Sequence, residues 1–437
     1  MTPEVLNLIL LGGVLLAILL GLPLAFSLGG VAALLTMSLW GPNTLYNIVL
    51  KTYDGMANFV LIAIPLFIFM ATVLQHSGIA DRLYESIYRW AGPLPGGLAM
   101  GTVAICAIFA AMAGVTAAAT VSMGKIALPS MLQRGYDKRL AVGAIAAGGA
   151  LGILIPPSVT MVILGLFAEI SVGALFLGGV FAGLLLAAIF IVYIGLRCLR
   201  SPQLGPPVPL DQRYTWAQKL AGLKGLILPI IMISLVLGSI FSGAATPTEG
   251  AAVGAIGSLL CAASLRRFNW DLVKLASRDS FRLSAMIMWI VFGAVCFTAL
   301  YQATGAGQVV RNLFDAVPGG RWGVVIMMQI VWFVMGMFLD PNGIIMITAP
   351  LFFPLVREFG FSPVWFGVLF VVNMQMGFLT PPFGYNLFYM KSVVPPSITL
   401  ADIYRSIVPF VVLQAIGLAL CMVFPQIILW LPGLVLT

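Results

Sequence analysis

The sequence predicts an all-α polytopic membrane protein, and its composition and hydropathy support that class. Hydrophobic residues make up 61% of the 437 residues and charged residues only 8%, and the mean hydropathy is +1.09. A soluble domain carries about 25% charged residues, so this chain has too few to cover a water-facing surface. Apolar stretches of about 20 residues recur along the whole length, as membrane-spanning helices require, and they are longer than the alternating strands of a membrane barrel.

The apolar stretches divide the chain into successive predicted helices. They lie at about 4–20, 22–40, 59–76, 98–113, 139–168, 172–198, 223–242, 246–265, 283–304, 322–339, 363–390 and 406–431. The polar, proline-rich connector 199–222 separates two halves of similar length. The 47 glycines and 27 prolines exceed what uninterrupted spans would tolerate, so several of these helices are expected to be broken.

An internal repeat is visible in the positions of those helix breakers. Pro95-Gly96-Gly97 recurs as Pro318-Gly319-Gly320 (318 − 95 = 223), Gly135 as Gly360 (225), Pro156-Pro157 as Pro381-Pro382 (225), and Ser77-Gly78 as Thr304-Gly305 (227). Landmarks in the same order at nearly constant spacing indicate a duplication. A chance match of glycine and proline doublets is the alternative.

The two repeats are predicted to be inverted relative to each other. Residues 1–58 are assigned to N-terminal scaffold helices and 59–198 to the first repeat, with hairpin 1 at about 98–131 and a broken helix at 139–168. Residues 199–282 form a cytoplasmic linker, two connecting helices and a basic arm. Residues 283–431 form the second repeat, with hairpin 2 at about 322–355 and a broken helix at 363–390. If the hairpins are re-entrant, an odd number of crossings separates the repeats, an architecture typical of secondary transporters.

The net charge of +8 is interpreted as membrane topology. The predicted spans place Lys51, Arg311, Arg321 and Arg357 on one side and the other 18 of the 22 lysines and arginines (22 − 4) on the opposite side. Positive charge collects in cytoplasmic loops, so the richer side is cytoplasmic and both termini are expected outside the cytoplasm. The basic charge therefore does not indicate a nucleic-acid partner.

Two segments at predicted membrane depth contain breaks with polar chemistry. Residues 110–125 are small and rich in hydroxyls, and their counterpart 338–354 contains the turn Asp340-Pro341-Asn342-Gly343. Free carbonyls and hydroxyls at such breaks suit a hard cation such as Na⁺, and the N-termini of half-helices favour an anion. The alternative is that small residues only allow tight helix packing.

The second pair of breaks lies at the two Pro-Pro doublets. In 148–158 and 376–386, glycine precedes Pro-Pro in mid-segment. Two successive prolines remove two amide donors, so each helix must unwind there. Ser158, Thr380 and Asn386 supply polar groups beside the openings, which favours paired ion sites over simple packing kinks. Glu169 and Asp340 are the acidic residues nearest the predicted cavity.

Several other features predict structure alone. The amphipathic, basic stretches 79–91 and 266–282 are expected to lie along the membrane interface as helices. Thr246-Pro247-Thr248-Glu249 has the pattern of a capping box. The five cysteines and His76 offer no cluster for a metal or an active site, so no enzyme activity and no cofactor are predicted.

The motifs IPLFIFMATVLQHSGIADRL (64–83), GALGILIPPS (149–158), ATPTEGAAVGA (245–255) and FGVLFVVNMQMGFLTPPFG (366–384) resemble the large membrane subunit of tripartite ATP-independent periplasmic (TRAP) transporters. The resemblance covers essentially the whole chain. It implies an elevator-type, Na⁺-driven importer of an organic acid in the bacterial inner membrane. It also implies two partners, a separate small four-helix membrane subunit and a periplasmic substrate-binding protein. The segment 377–391 looks closest to the branch for 2-oxo or hydroxy acids.

The resemblance also implies site residues at the hairpin tips and the broken helices. The substrate candidates are Thr116, Ser122, Ser158, Asn342 and Asn386. The Na⁺ candidates are Gly114, Thr120, Gly152, Pro156, Ser158, Asp340, Gly343, Gly377, Thr380 and Pro381. The rival functions are a stand-alone permease of the same superfamily, an intramembrane enzyme and a channel.

Overall fold

The computed structural model describes residues 2–209, 213–315 and 317–435, which form α-helices and short 3-10 turns. In the N-terminal half the helices are α1 (Pro3–Leu19), α2 (Leu24–Trp40), α3 (Leu45–Met56), α4 (Ala63–His76), α5 (Ile79–Ala91), α6 (Gly97–Ala113), α7 (Thr116–Gln133), α8 (Lys138–Ala150), α9 (Val159–Ala168) and α10 (Val172–Arg200). In the C-terminal half they are α11 (Trp216–Gly222), α12 (Lys224–Phe241), α13 (Pro247–Ser264), α14 (Trp270–Ala303), α15 (Ala306–Asp315), α16 (Gly320–Gly336), α17 (Pro341–Glu358), α18 (Pro363–Leu379), α19 (Tyr385–Lys391), α20 (Leu400–Val423) and α21 (Gln426–Val435).

Helix starts follow local side-chain chemistry. The expected capping box at α13 is confirmed: Thr246 accepts a hydrogen bond from the amide of Glu249, whose carboxylate accepts one from the amide of Thr246 at 2.7 Å. Thr399 and Asp402 make the same reciprocal arrangement at the start of α20. Each box satisfies two backbone amides that the helix itself leaves without partners.

Both Pro-Pro doublets interrupt their helices. A 3-10 turn and an irregular stretch separate α8 from α9 over residues 151–158, and residues 380–384 separate α18 from α19. Both Pro-Pro peptide bonds are cis. Proline donates no amide hydrogen bond and clashes with the preceding turn, so neither helix continues through its doublet. The two breaks differ in exposure: residues 151–158 are all buried, and residues 381–383 are exposed.

Two expectations about helix boundaries are wrong, and one helix was not predicted. The arm 266–282 is not separate from the span 283–304, because residues 270–303 form the single helix α14; the sequence from 270 to 292 contains no glycine or proline to end it. The run 406–431 is two helices, α20 and α21, separated at Phe424 and Pro425. Helix α3 was not among the apolar runs, because it is amphipathic.

The helices pack in two groups. In the first group, α14 packs against α2, α3 and α4, and α4 packs against α13. In the second group, α8 packs against α6, α7 and α20, while α18 packs against α16, α20 and α10. Contacts between the groups run mainly through α4, α5 and α14. The second group contains both helix–turn–helix pairs, α6–α7 and α16–α17, and both broken helices.

Five helical segments of the described residues are long and apolar enough to cross a membrane. They are Phe59–His76, Val172–Arg200, Trp216–Phe241, Trp270–Ala303 and Leu400–Val423. Several of the remaining helices are apolar but shorter, at 10 to 17 residues. The chain is therefore a multi-pass membrane protein.

Candidate functional site

The breaks of both halves meet at one cavity of about 130 Å³. We call it the tip cavity, because the turns of both helical pairs line it. Its wall contains residues 114–117 from the α6–α7 turn, Asp340 and Asn342 from the α16–α17 turn, Ile153 and Thr160 from the first broken helix, and Phe378 and Tyr389 from the second. Ile68 of α4 and residues 283, 286 and 287 of α14 complete it from the other packing group.

Glycines let the α6–α7 turn lie directly against the first break. Gly114 has φ +66°, and a Cβ atom there would lie 2.1 Å from the carbonyl oxygen of Pro157. A Cβ atom on Gly152 would lie 2.9 Å from the backbone nitrogen of Thr116. Any side chain at these two positions would push the turn away from the break, so the close backbone contact requires glycine.

Two polar atoms in this region have no hydrogen-bond partner among the described residues. They are the buried Oγ1 of Thr116 and the Oδ1 of Asn342, and both residues line the tip cavity. Asp340 is already engaged, because its carboxylate accepts a 3.0 Å hydrogen bond from the amide of Asn342 and caps α17. A buried oxygen without a partner is costly, so a ligand or water in the cavity would satisfy both atoms.

Thr120 and Asn386 form a buried link between the two halves. The hydroxyl of Thr120 donates a 2.7 Å hydrogen bond to Oδ1 of Asn386, whose Nδ2 donates to the carbonyl of Ala146 at 2.6 Å. A Cβ atom on Gly149 would lie 1.9 Å from Oγ1 of Thr120, so this glycine leaves the space that the threonine occupies. Neither Thr120 nor Asn386 lines the tip cavity. Their hydrogen bonds join α7, α19 and α8.

The hydroxyls of Ser158 and Thr380 are used within their own breaks. Ser158 is fully buried, donates to the carbonyl of Ile153 at 2.6 Å and caps the start of α9. Thr380 donates to the carbonyl of Met376 at 2.6 Å. Each hydroxyl therefore satisfies a carbonyl that the broken helix frees.

The remaining candidates lie around the cavity rather than on its wall. A Cβ atom on Gly377 would lie 2.7 Å from the Cα atom of Gly336, so α16 and α18 are in backbone contact there. Gly343 lies against Leu24 of α2. Pro156 is buried, Pro381 is exposed, and Ser122 is buried on α7. At Gly377 and Gly343, therefore, the small residue allows tight helix packing, which was the alternative to a role in binding.

Some wall residues were not predicted from the sequence. Thr160 and Tyr389 contribute hydroxyl groups, and Met286 of α14 closes the cavity from the first packing group. Thr160 and Tyr389 lie a few residues beyond the two Pro-Pro doublets, a position that could have drawn attention to them. Met286 carried no signal, because an apolar residue on a long helix is ordinary. The described wall contains no lysine or arginine.

These features define a class, a polytopic membrane permease whose polar cavity is built at interrupted helices. The description "Tripartite ATP-independent periplasmic transporter, DctM component" matches residues 11–427 of this chain. The chain belongs to this family, the large permease component of TRAP transporters.

The similarity to relatives and to a solved structure extends over nearly the whole length of this chain. The C4-dicarboxylate TRAP transporter large permease protein DctM of Pseudomonas aeruginosa is 34% identical, with 92% of this chain and 93% of that protein aligned. The protein of the same name in Rhodobacter capsulatus is 32% identical, with 97% and 98% aligned. The crystal structure of the Alcanivorax borkumensis YdaH transporter has a TM-score of 0.65 at 15% identity, with 96% and 98% covered, a similarity of fold.

The names of other relatives differ in substrate. They include an isethionate permease, DctMQ, of Oleidesulfovibrio alaskensis at 30% identity. They also include an ectoine permease of Halomonas elongata at 26% and a sialic acid permease of Vibrio cholerae at 27%. The relatives are named as transporter permeases, which are not enzymes, and their substrates vary within one family.

Proposed function

We propose that the chain is the large subunit of a Na⁺-coupled importer that moves an organic acid across the bacterial inner membrane. The observation that carries the proposal is the convergence of four interrupted segments, two from each half, on the tip cavity. Backbone breaks at membrane depth are tolerated only where they line a cavity or are buried in protein, so their meeting point is the expected substrate path.

The two halves are proposed to be inverted repeats with α6–α7 and α16–α17 as re-entrant hairpins. The duplicated landmarks share backbone geometry, which supports a duplication. Three of the four glycine pairs are left-handed in both halves: Gly78 and Gly305 (φ 78° and 67°), Gly96 and Gly319 (72° and 95°), and Gly135 and Gly360 (77° and 74°). In the fourth pair Gly320 is left-handed and Gly97 is not. Equivalent turns in a duplicated fold would share this backbone conformation, which glycine adopts readily.

The two packing groups support an elevator mechanism, in which one group carries the substrate past a fixed scaffold. Both breaks and both helical pairs belong to one group, while the other supplies only α4 and α14 to the cavity wall. The cavity can therefore move together with one packing group. As that group slides along the scaffold, a different stretch of α14 would line the cavity.

Na⁺ binding is proposed at the turns, with the substrate beside it. Carbonyls near Gly114, Gly152, Gly377 and Pro381, and the hydroxyls of Thr120, Ser158 and Thr380, are candidate oxygen ligands. Asp340 is the acidic residue of the cavity wall, and its charge suits a coupling cation. A substrate carboxylate would then be held by hydroxyls, helix ends and the bound cation, because the described wall offers no basic side chain.

Partners and orientation follow from the family and from charge. A periplasmic substrate-binding protein and a small membrane subunit are proposed as the other two components. The isethionate relative is longer than this chain, which aligns with 66% of it, and the name DctMQ fits a fusion with a small subunit. The basic end is proposed to be cytoplasmic, with both termini periplasmic. Two contacts support the grouping of basic residues at one end of the protein. The guanidinium of Arg134 lies over the ring of Tyr88 in α5, and Lys138 forms an ion pair with Asp402 at the start of α20.

Uptake by reconstituted protein tests this function. Proteoliposomes containing the chain and its small subunit should accumulate substrate only with an inward Na⁺ gradient and with the binding protein present. Full uptake without the binding protein would favour the stand-alone permease, and flux that ignores the Na⁺ gradient would favour a channel. Ser158→Ala and Thr380→Ala should each weaken Na⁺ dependence, with Ser242→Ala, an exposed serine at the end of α12, as the control.

A further inference from the structure

A second cavity lies between the two packing groups, away from the tip cavity. It has a volume of about 380 Å³, and we call it the Arg357 cavity. The end of α9 and the last turns of α17 line one side, and α14 lines the other through residues 291–302. The tip cavity meets α14 near Met286, and the Arg357 cavity meets it near Thr298. These two residues lie twelve positions and about 18 Å apart along the axis. The nearest lining residues, Ile287 and Val291, lie about one turn apart, and the two linings share no residue, so the cavities are distinct.

Arg357 is the one cation in the described lining of this cavity. Its Nη2 donates hydrogen bonds to the carbonyls of Ala168 at 2.6 Å and Glu169 at 3.2 Å. These carbonyls end α9 and lack helical partners, so the guanidinium neutralises the negative end of that helix. Within the described chain the hydrogen bonds of Arg357 use Nη2, which leaves Nη1 and Nε for a ligand.

The other basic residues at this end have different surroundings. Arg311 forms an ion pair with Glu358, and the Arg321 guanidinium lies over the ring of Phe361 at 5.3 Å. Lys51 lines a third cavity together with Asp54. Arg357 is therefore the group at this end that is available to a carboxylate within a cavity.

Acceptor and amide groups surround the same space. Glu169 lines it from a left-handed backbone position, φ 55°, which non-glycine residues seldom occupy. Thr298 and Gln302 of α14 and Asn58 line the opposite side. The buried Oγ1 of Thr298 has no hydrogen-bond partner among the described residues, so a polar occupant would satisfy it.

We propose that the Arg357 cavity is a second ligand site, which receives a small carboxylate that also carries a hydroxyl or ammonium group. Arg357 donates to the carboxylate through one N–H group that its bonds to α9 leave free, on Nη1 or Nε. Glu169 accepts the hydrogen bond of the hydroxyl or ammonium, and Thr298 hydrogen-bonds to the ligand from α14. A carboxylate without a hydroxyl or ammonium group offers Glu169 no hydrogen-bond donor and binds less well. The role of this site in transport, as the place where substrate arrives before the tip cavity, rests on the proposed function; the binding itself does not.

Cysteine protection tests the site without requiring transport. Val295→Cys places a thiol on the cavity wall, and a maleimide measures its accessibility in nanodiscs that contain the full chain. The five native cysteines are buried, so the unmodified chain gives the background. Succinate, L-malate and L-aspartate serve as probes, because they share one carbon skeleton and differ by a hydrogen, a hydroxyl or an ammonium group at one carbon.

Malate and aspartate should protect the thiol at concentrations at least tenfold lower than succinate, about 1.4 kcal/mol of binding free energy. Arg357→Gln should abolish protection by all three probes, Arg357→Lys should retain part of it, and Arg321→Gln should change nothing. Glu169→Ala should remove the preference for malate and aspartate. Unchanged labelling with all three probes, or equal protection in Arg357→Gln and Arg321→Gln, would overturn the proposal.

A second thiol separates ligand binding from structural damage. Met286→Cys reports on the tip cavity, and its labelling rate should be the same with Arg357 and with Arg357→Gln. A changed rate at this distant position, together with equal losses in Arg357→Gln and Arg357→Lys, would make Arg357 a structural residue and overturn the site. Absent uptake with intact protection would refute the proposed function alone, whereas Na⁺-driven uptake without protection would refute this site alone.

Discussion

Replacing Gly114 with alanine tests whether the α6–α7 turn must lie against the first break. The new Cβ would lie 2.1 Å from the carbonyl oxygen of Pro157. A separation of 3.0 Å, the lower limit of real contacts, requires the turn and the break to part by 0.9 Å (3.0 − 2.1). Metal–ligand distances tolerate roughly ±0.2 Å, so a Na⁺ site shared by these segments would be lost.

Gly135→Ala is the matched control for this substitution. Gly135 also has a left-handed backbone, φ +77°, but a Cβ atom there would meet nothing within 4 Å. Alanine in that conformation costs roughly 1–2 kcal/mol at either position. The difference between the variants therefore isolates the contact with Pro157 from backbone strain.

The assay is thermal unfolding of the purified chain in increasing NaCl, with choline chloride holding the ionic strength constant. A ligand that binds only the folded state raises the unfolding midpoint as its concentration increases. Gly135→Ala should keep the Na⁺-dependent rise, and Gly114→Ala should need at least tenfold more Na⁺, about 1.4 kcal/mol of lost binding free energy. Equal Na⁺ dependence in both variants would refute the placement of a Na⁺ site at this turn.

Two further substitutions test the packing around the cavity. Thr120→Val should lower the free energy of unfolding by about 1–3 kcal/mol, because it leaves Oδ1 of the buried Asn386 unsatisfied. In denaturant unfolding, the double variant with Asn386→Leu should lose less stability than the sum of the two single variants. Gly377→Ala should lower the free energy of unfolding by about 1–3 kcal/mol, because it forces α18 away from the backbone of Gly336. The control Gly238→Ala, in open space on α12, should raise it by up to about 1 kcal/mol. Equal unfolding free energies for these two variants would contradict the close helix contact.

Much of the fold was predictable because it depends on local chemistry and on composition. Most apolar runs became helices within a few residues of the predicted ends, and both Pro-Pro doublets interrupted their helices, since proline acts on its own turn whatever surrounds it. The capping box at Thr246 likewise needs only four neighbouring residues. Boundaries failed where the local signal was weak, as in α14, whose polar start and apolar end form one helix.

The candidate site was only partly predictable. Asp340 and Asn342 were singled out from turn chemistry, and Gly114 and Thr116 from the family resemblance. All four line the tip cavity. Ser122 was given the same role and does not line it. Thr120 and Asn386 were also candidates, but their side chains hydrogen-bond to each other and do not line the cavity.

The sequence by itself determined that this is a polytopic helical membrane protein with breaks at particular residues, because hydropathy and the missing amides of proline act over one or two turns. Only the tertiary structure decided which breaks share a cavity, which hydroxyls are free and which are already bonded. Contacts such as Thr120 with Asn386 join residues 266 positions apart, and no local pattern encodes their distance. The Arg357 cavity is of the same kind, since it exists only where α9, α14 and α17 meet.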